Sequence, residues 1–184
     1  MSRLVALNCG HGRSLNGSWD SGCVYGSKTE AGLMLPITKA AVKYLRGSGV
    51  EVQTDAFSGN SRNMIADVQL ANRAGADIYV SVHCDYKAAP SGTIPLYVSS
   101  SGKKLASKMN KYVRKYTGIG TRGVCRRTDL YELNASNGVA CIFECGSIKA
   151  DLSKFEKSAD AFGKGIARGI CAYLGVEFTG KKNT

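Results

Sequence analysis

Short apolar runs closed by glycine or a polar residue alternate along this chain with stretches of helical periodicity, and that alternation limits its fold more than any other feature. The run Leu4-Val5-Ala6-Leu7-Asn8-Cys9-Gly10 ends at His11, and Ile78-Tyr79-Val80-Ser81-Val82 ends at His83. These are the only 2 histidines in the chain. Two strands that each deliver an imidazole at their C-terminal end are how an open α/β sheet builds a site. Neutral imidazole is also a common zinc ligand. The plainer alternative is two unrelated histidines, one in a loop and one at a strand edge.

Strands are expected at residues 3–8, 50–54, 78–82 and 93–98. Two more are expected at 130–133 and 139–143, joined by a turn at 134–138. A helix is expected where Leu33, Ile37, Ala40, Ala41, Tyr44 and Leu45 recur, with Pro36 kinking it or fixing its first turns and Gly47-Ser48-Gly49 ending it. Further helices are expected at about 62–73, 102–116 and 158–174, the last repeating Phe162, Ile166 and Ile170. Residues 9–26 form a Gly/Ser/Asn-rich loop too long to be a simple connection, and such loops are usually functional. The resulting fold class is α/β: a single domain with a largely parallel, twisted central sheet of about six strands, flanked by helices on both faces. The domain is expected to span 1–177, with 178–184 a linker stub or tail.

At 184 residues the chain can bury a sizeable core without disulfide staples. Its 7 cysteines form no regular framework and no CxxC pair, which points to free thiols made in a reducing compartment. Ser2 and Arg3 lead directly into a strand-like run rather than a secretory h-region, so synthesis in the cytoplasm without a signal peptide is expected. No apolar run is long enough to span a bilayer, so no membrane insertion is expected. The net charge of +11 favours a polyanionic partner. No recognition helix, zinc finger or aromatic-plus-basic platform is visible, so no specific nucleic-acid partner is expected.

Two carboxylates stand out. Glu30 follows Ser27-Lys28-Thr29 just before the first expected helix, and pattern alone favours a capping box over a metal ligand. Glu144 ends the apolar run Val139-Ala140-Cys141-Ile142-Phe143, where desolvation would raise its pKa into a useful acid/base range. An edge glutamate turned to water is its plain alternative. Asp85 could orient a ligand or line a cleft, and Asp20 could hydrogen-bond a histidine as carboxylates behind metal ligands do.

The order Gly10-His11-Gly12, Asp20-Ser21-Gly22, Glu30, Asn72 to Asp77 leading into Ser81-Val82-His83, then Phe143-Glu144-Cys145-Gly146 resembles the zinc-dependent N-acetylmuramoyl-L-alanine amidases of the amidase-3 family. That family includes bacterial autolysins and phage endolysins. The resemblance runs from about residue 3 to 175; its motifs are short, and their order and spacing carry it. It implies Zn2+ as cofactor, with His11, Glu30 and His83 as metal ligands and Glu144 as the catalytic carboxylate. It also implies that peptidoglycan is the substrate and that zinc-activated water cuts the amide between N-acetylmuramic acid and L-alanine. Two positions depart from the family pattern: Asp85 stands where Asn is usual, and Cys145-Gly146-Ser147 follows the glutamate where x-Gly-Phe is usual. Asp85, Arg126 and Arg127 are expected substrate-binding residues, the arginines holding an oxyanion or a stem carboxylate. The positive charge and free thiols fit a phage endolysin that acts on the wall after release, with anionic wall polymers as further partners. Three other readings compete: a non-enzymatic wall- or nucleic-acid-binding module, a hydrolase using Cys84 or Cys145 as nucleophile, and a zinc peptidase acting on another amide.

Overall fold

The structure is a computed structural model that describes residues 3–57 and 62–183. In chain order its elements begin with strand β1 (Leu4–Cys9) and four two-residue strands: β2 (Gly12–Arg13), β3 (Trp19–Asp20), β4 (Val24–Tyr25) and β5 (Lys28–Thr29). Then come helix α1 (Glu30–Gly47), β6 (Glu51–Gln53), α2 (Met64–Ala74), β7 (Ile78–Asp85) and β8 (Ile94–Tyr97). The chain continues through α3 (Ser100–Thr117), β9 (Cys125–Arg126), α4 (Tyr131–Ala135), β10 (Val139–Ser147) and α5 (Leu152–Leu174).

Six strands form the central sheet in the order β6-β1-β7-β10-β8-β9. The β6, β1, β7 and β10 pairings are parallel, β8 runs antiparallel to β10, and β9 is parallel to β8. Alternation sorts the side chains by face. Val5, Leu7, Val80, Val82, Cys141 and Phe143 join the larger core under α1, α3 and α5. Ala6, Tyr79, Ala140 and Ile142 join a smaller core with Val68 and Ala71 of α2 and Leu133 of α4. His83 and Glu144 therefore share the parity of the smaller core, at the end of the sheet where that core thins out.

The expected helices are all present, with two refinements. Pro36 lies inside α1 without ending it, and Thr29 is the N-cap, its Oγ1 accepting from Gly32 N at 3.2 Å. Helix α5 begins six residues before the periodic segment, and Ser158 (φ −131°, ψ 22°) is a kink inside it. The extra turns bury Phe155, whose ring centroid lies 5.4 Å from that of Phe162 at a tilt of 59°. Gly163 lets α5 pack closely on α1: a Cβ there would sit 2.5 Å from the Cβ of Ala40.

One expected strand is a correction. Residues 130–133 are not a strand paired with 139–143 but the start of α4, which buries Glu132 and Leu133. A four-residue apolar run fits either element, and here tertiary contacts decide. Tyr79 Oη donates to Glu132 Oε1 at 2.8 Å, and Asn134 Nδ2 donates to the carbonyls of Thr128 and Leu130. The edge position next to β8 belongs instead to β9, two residues that no periodicity marks. The segment after α5 lies against α1, with Thr179 Oγ1 donating to Gly47 O and Asn183 N to Lys43 O, both at 2.9 Å. Among the described residues no helix is long and apolar enough to cross a membrane.

Candidate metal centre

The loop from Gly10 to Thr29 brings the first histidine back onto the sheet. His11 has φ +66°, and among the described residues no other non-glycine has a positive φ. That conformation is disfavoured for a residue with a side chain, so the surrounding contacts must hold it. Ribbons β2–β3 and β4–β5 shape the loop. Asp20 Oδ2 lies 2.9 Å from His11 Nδ1, and Asp20 Oδ1 accepts from Gly22 N at 2.9 Å. Gly10 leaves the room His83 needs, because a Cβ there would collide with the imidazole ring.

Glu30, the first residue of α1, lies between the two imidazoles. Its Oε1 is 2.9 Å from His83 Nδ1 and its Oε2 is 3.3 Å from His11 Nε2. The same oxygens accept backbone N–H groups from Cys84 and Cys23, each at 3.0 Å. Only 3 % of Glu30 is exposed, so its carboxylate serves the cluster rather than capping the helix. Burial alone would raise its pKa, but the two imidazoles hold it well below the usual carboxylate range. Burial would likewise lower His83, yet its bond to Glu30 and the charges of Glu144 and Glu30 raise it to about 9.

His11, Glu30 and His83 fit a metal ion. Their donor atoms all lie within 4.8 Å of one another. The imidazole nitrogens face different oxygens of Glu30, at 2.9 Å (Oε1) and 3.3 Å (Oε2), and each spacing is of the size of the ~3.4 Å edge of a tetrahedron built on zinc bonds of about 2.0–2.1 Å. Two nitrogens and one oxygen are a borderline-soft donor set of the kind zinc takes.

Glu144 stands beside this cluster, paired in register with His83 across β10 and β7. Among the described residues its Oε2 is a buried oxygen with no hydrogen-bond partner. Burial pushes its carboxyl up to about 7; the His83 charge opposes this, Glu30 and Asp85 add to it, and Arg122 opposes it. A carboxyl so placed can take up and release a proton near neutral pH.

Asp85 follows at the end of β7, and Arg122 Nη1 donates to its Oδ2 at 2.9 Å. Arg122 Nε also donates to Gly92 O at 2.9 Å. Sequence reasoning missed Arg122; the one signal was an arginine set among glycines in an aperiodic stretch. The arginines singled out from sequence are not brought to the cluster. Arg126 lies on β9 opposite Tyr97, three residues along β8 from the Ile94 that pairs with Glu144, about 10 Å at ~3.3 Å per residue. Its Nε donates to Val98 O at 3.2 Å, and Arg127 forks onto Asp129 at 2.8 and 2.6 Å. Neither Cys84 nor Cys145 is an activated nucleophile: a hydrogen bond with Cys23 that keeps the proton on Cys84, and then burial, raise the Cys84 thiol, and burial raises Cys145.

His11 separates two clefts. One, of about 190 Å³, runs past His83 to Arg62, Asp67 and Glu132. The other, of about 260 Å³, is floored by Leu35 and Ala31 and rimmed by Trp19, Lys39 and Phe57.

A largely parallel sheet that gathers two imidazoles and a carboxylate near its strand ends, with a second carboxylate from the start of a helix, is a hydrolase scaffold. Residues 5–172 match the family profile Amidase_3, N-acetylmuramoyl-L-alanine amidase. The chain belongs to that family, and its activity is that of a peptidoglycan amidase. Among solved structures it is similar to the N-acetylmuramoyl-L-alanine amidase AmiC2 of Nostoc punctiforme, at 25% identity and TM-score 0.83, covering 94% of this chain and 97% of that one. It is similar to the catalytic domain of CwlV, an N-acetylmuramoyl-L-alanine amidase from Bacillus (Paenibacillus) polymyxa var. colistinus, at 25% identity and TM-score 0.84, covering 95% and 99%. It shares its fold with the catalytic domain of the CD27L endolysin targeting Clostridia difficile, at 19% identity and TM-score 0.78, covering 92% and 97%. A search of curated proteins finds no match.

Proposed function

We propose that this enzyme hydrolyses the amide between the lactyl carbonyl of N-acetylmuramic acid and the L-alanine of the peptide stem, with Zn2+ held by His11 Nε2, Glu30 and His83 Nδ1. The observation that carries this reading is the juxtaposition of that donor set with the buried, unpartnered oxygen of Glu144. A bound zinc ion would acidify a water and polarise the scissile carbonyl. Glu144 takes the proton from the attacking water and passes it to the departing nitrogen of L-alanine. Its carboxyl, pushed up to about 7 by burial, suits both transfers. Asp20 fixes the face of His11, and the N–H groups of Cys23 and Cys84 fix Glu30. Asp85, tied to Arg122 at the end of β7, is the proposed contact for substrate; Arg126 lies on the edge strand β9 and Arg127 follows it.

The biological setting is proposed on composition. A charge of +11 favours accumulation on anionic wall polymers, and 7 cysteines with no disulfide among the described residues fit synthesis in a reducing cytoplasm. Both suit a phage endolysin that is made in the host cytoplasm and acts on the wall after release. The test is digestion of purified peptidoglycan before and after chelation and zinc add-back. Zinc-restored release of free L-alanine amino termini with no new reducing sugars is expected. Intact wall under metal-loaded conditions would overturn the reading.

A further inference from the structure

We propose that Cys23 and Cys84 are a modification site, closing into a disulfide behind the Glu30 carboxylate when the protein meets a small-molecule disulfide. Their sulfurs and a Glu30 oxygen lie within 4.8 Å of one another. Cys23 Sγ rests on the backbone of β7, 3.5 Å from Cys84 O and 3.6 Å from Asp85 O. The two residues are 61 positions apart in sequence, so a bridge between them closes a long loop. Closing a long loop removes much freedom from the unfolded chain.

The position gives the bridge a purpose. The backbone N–H of Cys23 clamps one oxygen of Glu30 and that of Cys84 clamps the other. Cys23 belongs to the β1–α1 loop and Cys84 to the rigid end of β7. A covalent link between them ties the loop to the sheet at the two points that hold this carboxylate. Access makes Cys23 the thiol that reacts first. Cys9, Cys84, Cys141, Cys145 and Cys171 are buried, whereas Cys23 and Cys125 are half-buried. Cys125 lies on the edge strand β9, with β10 and β8 between it and β7.

The chemistry balances as two exchanges. The Cys23 thiol attacks a disulfide R–S–S–R, giving Cys23–S–S–R and one R–SH. The Cys84 thiol is not activated as a free nucleophile, but its sulfur is held within 4.8 Å of Cys23, so this step is intramolecular. It displaces the second R–SH, which carries away the remaining proton, and leaves Cys23–S–S–Cys84. The sulfurs must approach to about 2.05 Å, and the half-buried Cys23 is the one with room to turn. The pair stays open in a reducing cytoplasm and closes where the medium is oxidising. Its relevance to an enzyme that works on the wall rests on the function proposed above; the thiol chemistry itself does not.

The experiment incubates the full chain with oxidised glutathione, blocks residual thiols with an alkylating agent, and maps peptides by mass spectrometry. No substrate or metal is needed, so the result is independent of amidase activity. The expected result is a linked pair of peptides carrying Cys23 and Cys84, no stable glutathione adduct on Cys23, and a Tm about 5 °C or more above the reduced form. Cys23→Ser should lose the linked peptides and the Tm rise together. Both thiols alkylated after oxidation, a persistent glutathione adduct on Cys23, or a Cys84–Cys145 link would overturn the site. A bridge that forms without raising Tm would overturn its stapling role. If Cys23→Ser fails to fold, the wild-type peptide map alone decides.

Discussion

Asp20 Oδ2 lies 2.9 Å from His11 Nδ1, and this contact leaves Nε2 as the nitrogen that His11 turns toward Glu30. The carboxylate thus sets both the ring orientation and the face offered to a metal. Removing it should loosen a ring already held in an unfavourable backbone conformation. Asp20→Ala is expected to weaken zinc binding by about 10–100-fold. Competition against a chromophoric chelator measures this directly. Unchanged affinity would mean that the contact is incidental.

Glu144 should separate chemistry from metal binding. Glu144→Gln keeps the size of the side chain and removes its ability to take a proton. A fall in turnover of about 10²–10⁴-fold is expected, with zinc content matching the wild type. His83→Ala should instead lose metal and activity together. Near-normal turnover in Glu144→Gln would reassign the proton carrier.

Gly22 is a steric guard on the same cluster. It has φ +65°, and a Cβ on it would lie 2.6 Å from both Glu30 Oε2 and His11 Cδ2. Gly26 has a similar φ of +59°, but a Cβ on it would meet nothing within 4 Å. Gly26→Ala should therefore show only the backbone penalty, about 1 kcal/mol. Gly22→Ala should add displaced ligands, so zinc affinity falls in that variant alone. Equal zinc affinity in the two variants would show that the cluster tolerates the intrusion.

Much of this site was legible because it lies at the ends of apolar runs. His11, His83 and Glu144 each follow an apolar run, and the structure places them near the C-terminal ends of β1, β7 and β10, which are neighbours in the sheet. Glu30 was legible only through the family resemblance: the local pattern favoured a capping box from Ser27 to Glu30, whereas Thr29 is the N-cap and the Glu30 carboxylate turns to the cluster. Arg122 was not legible: its role comes from the bridge between Thr93 and Thr121 that carries its loop to Gly92 and Asp85. Residues 130–133 misled because four apolar-rich positions carry no decisive period, and the Tyr79–Glu132 contact that settles them spans 53 residues. The kink at Ser158 shows the same limit, since periodicity identifies the straight part of α5 but not the turns before it.

Asp67 should set part of the pH dependence of stability. It is 3 % exposed, and its Oδ1 accepts from Arg62 Nε at 2.6 Å. Burial, reinforced by the charge of Asp55 and opposed by Arg62, pushes its carboxyl up to about 7. An unfolded chain releases this proton near pH ~4. Between about pH 4 and 7 the folded protein therefore binds the proton more tightly, so stability falls as pH rises through that window. The contribution is fully present below about pH 4 and lost above about pH 7, and it is worth at most about 4 kcal/mol. Asp67→Asn mimics the protonated form at every pH. Its Tm should exceed the wild type at pH 8, with the difference closing as pH falls toward 5. A lower Tm for Asp67→Asn at pH 8 would show that the ion pair with Arg62 outweighs the burial of the charge.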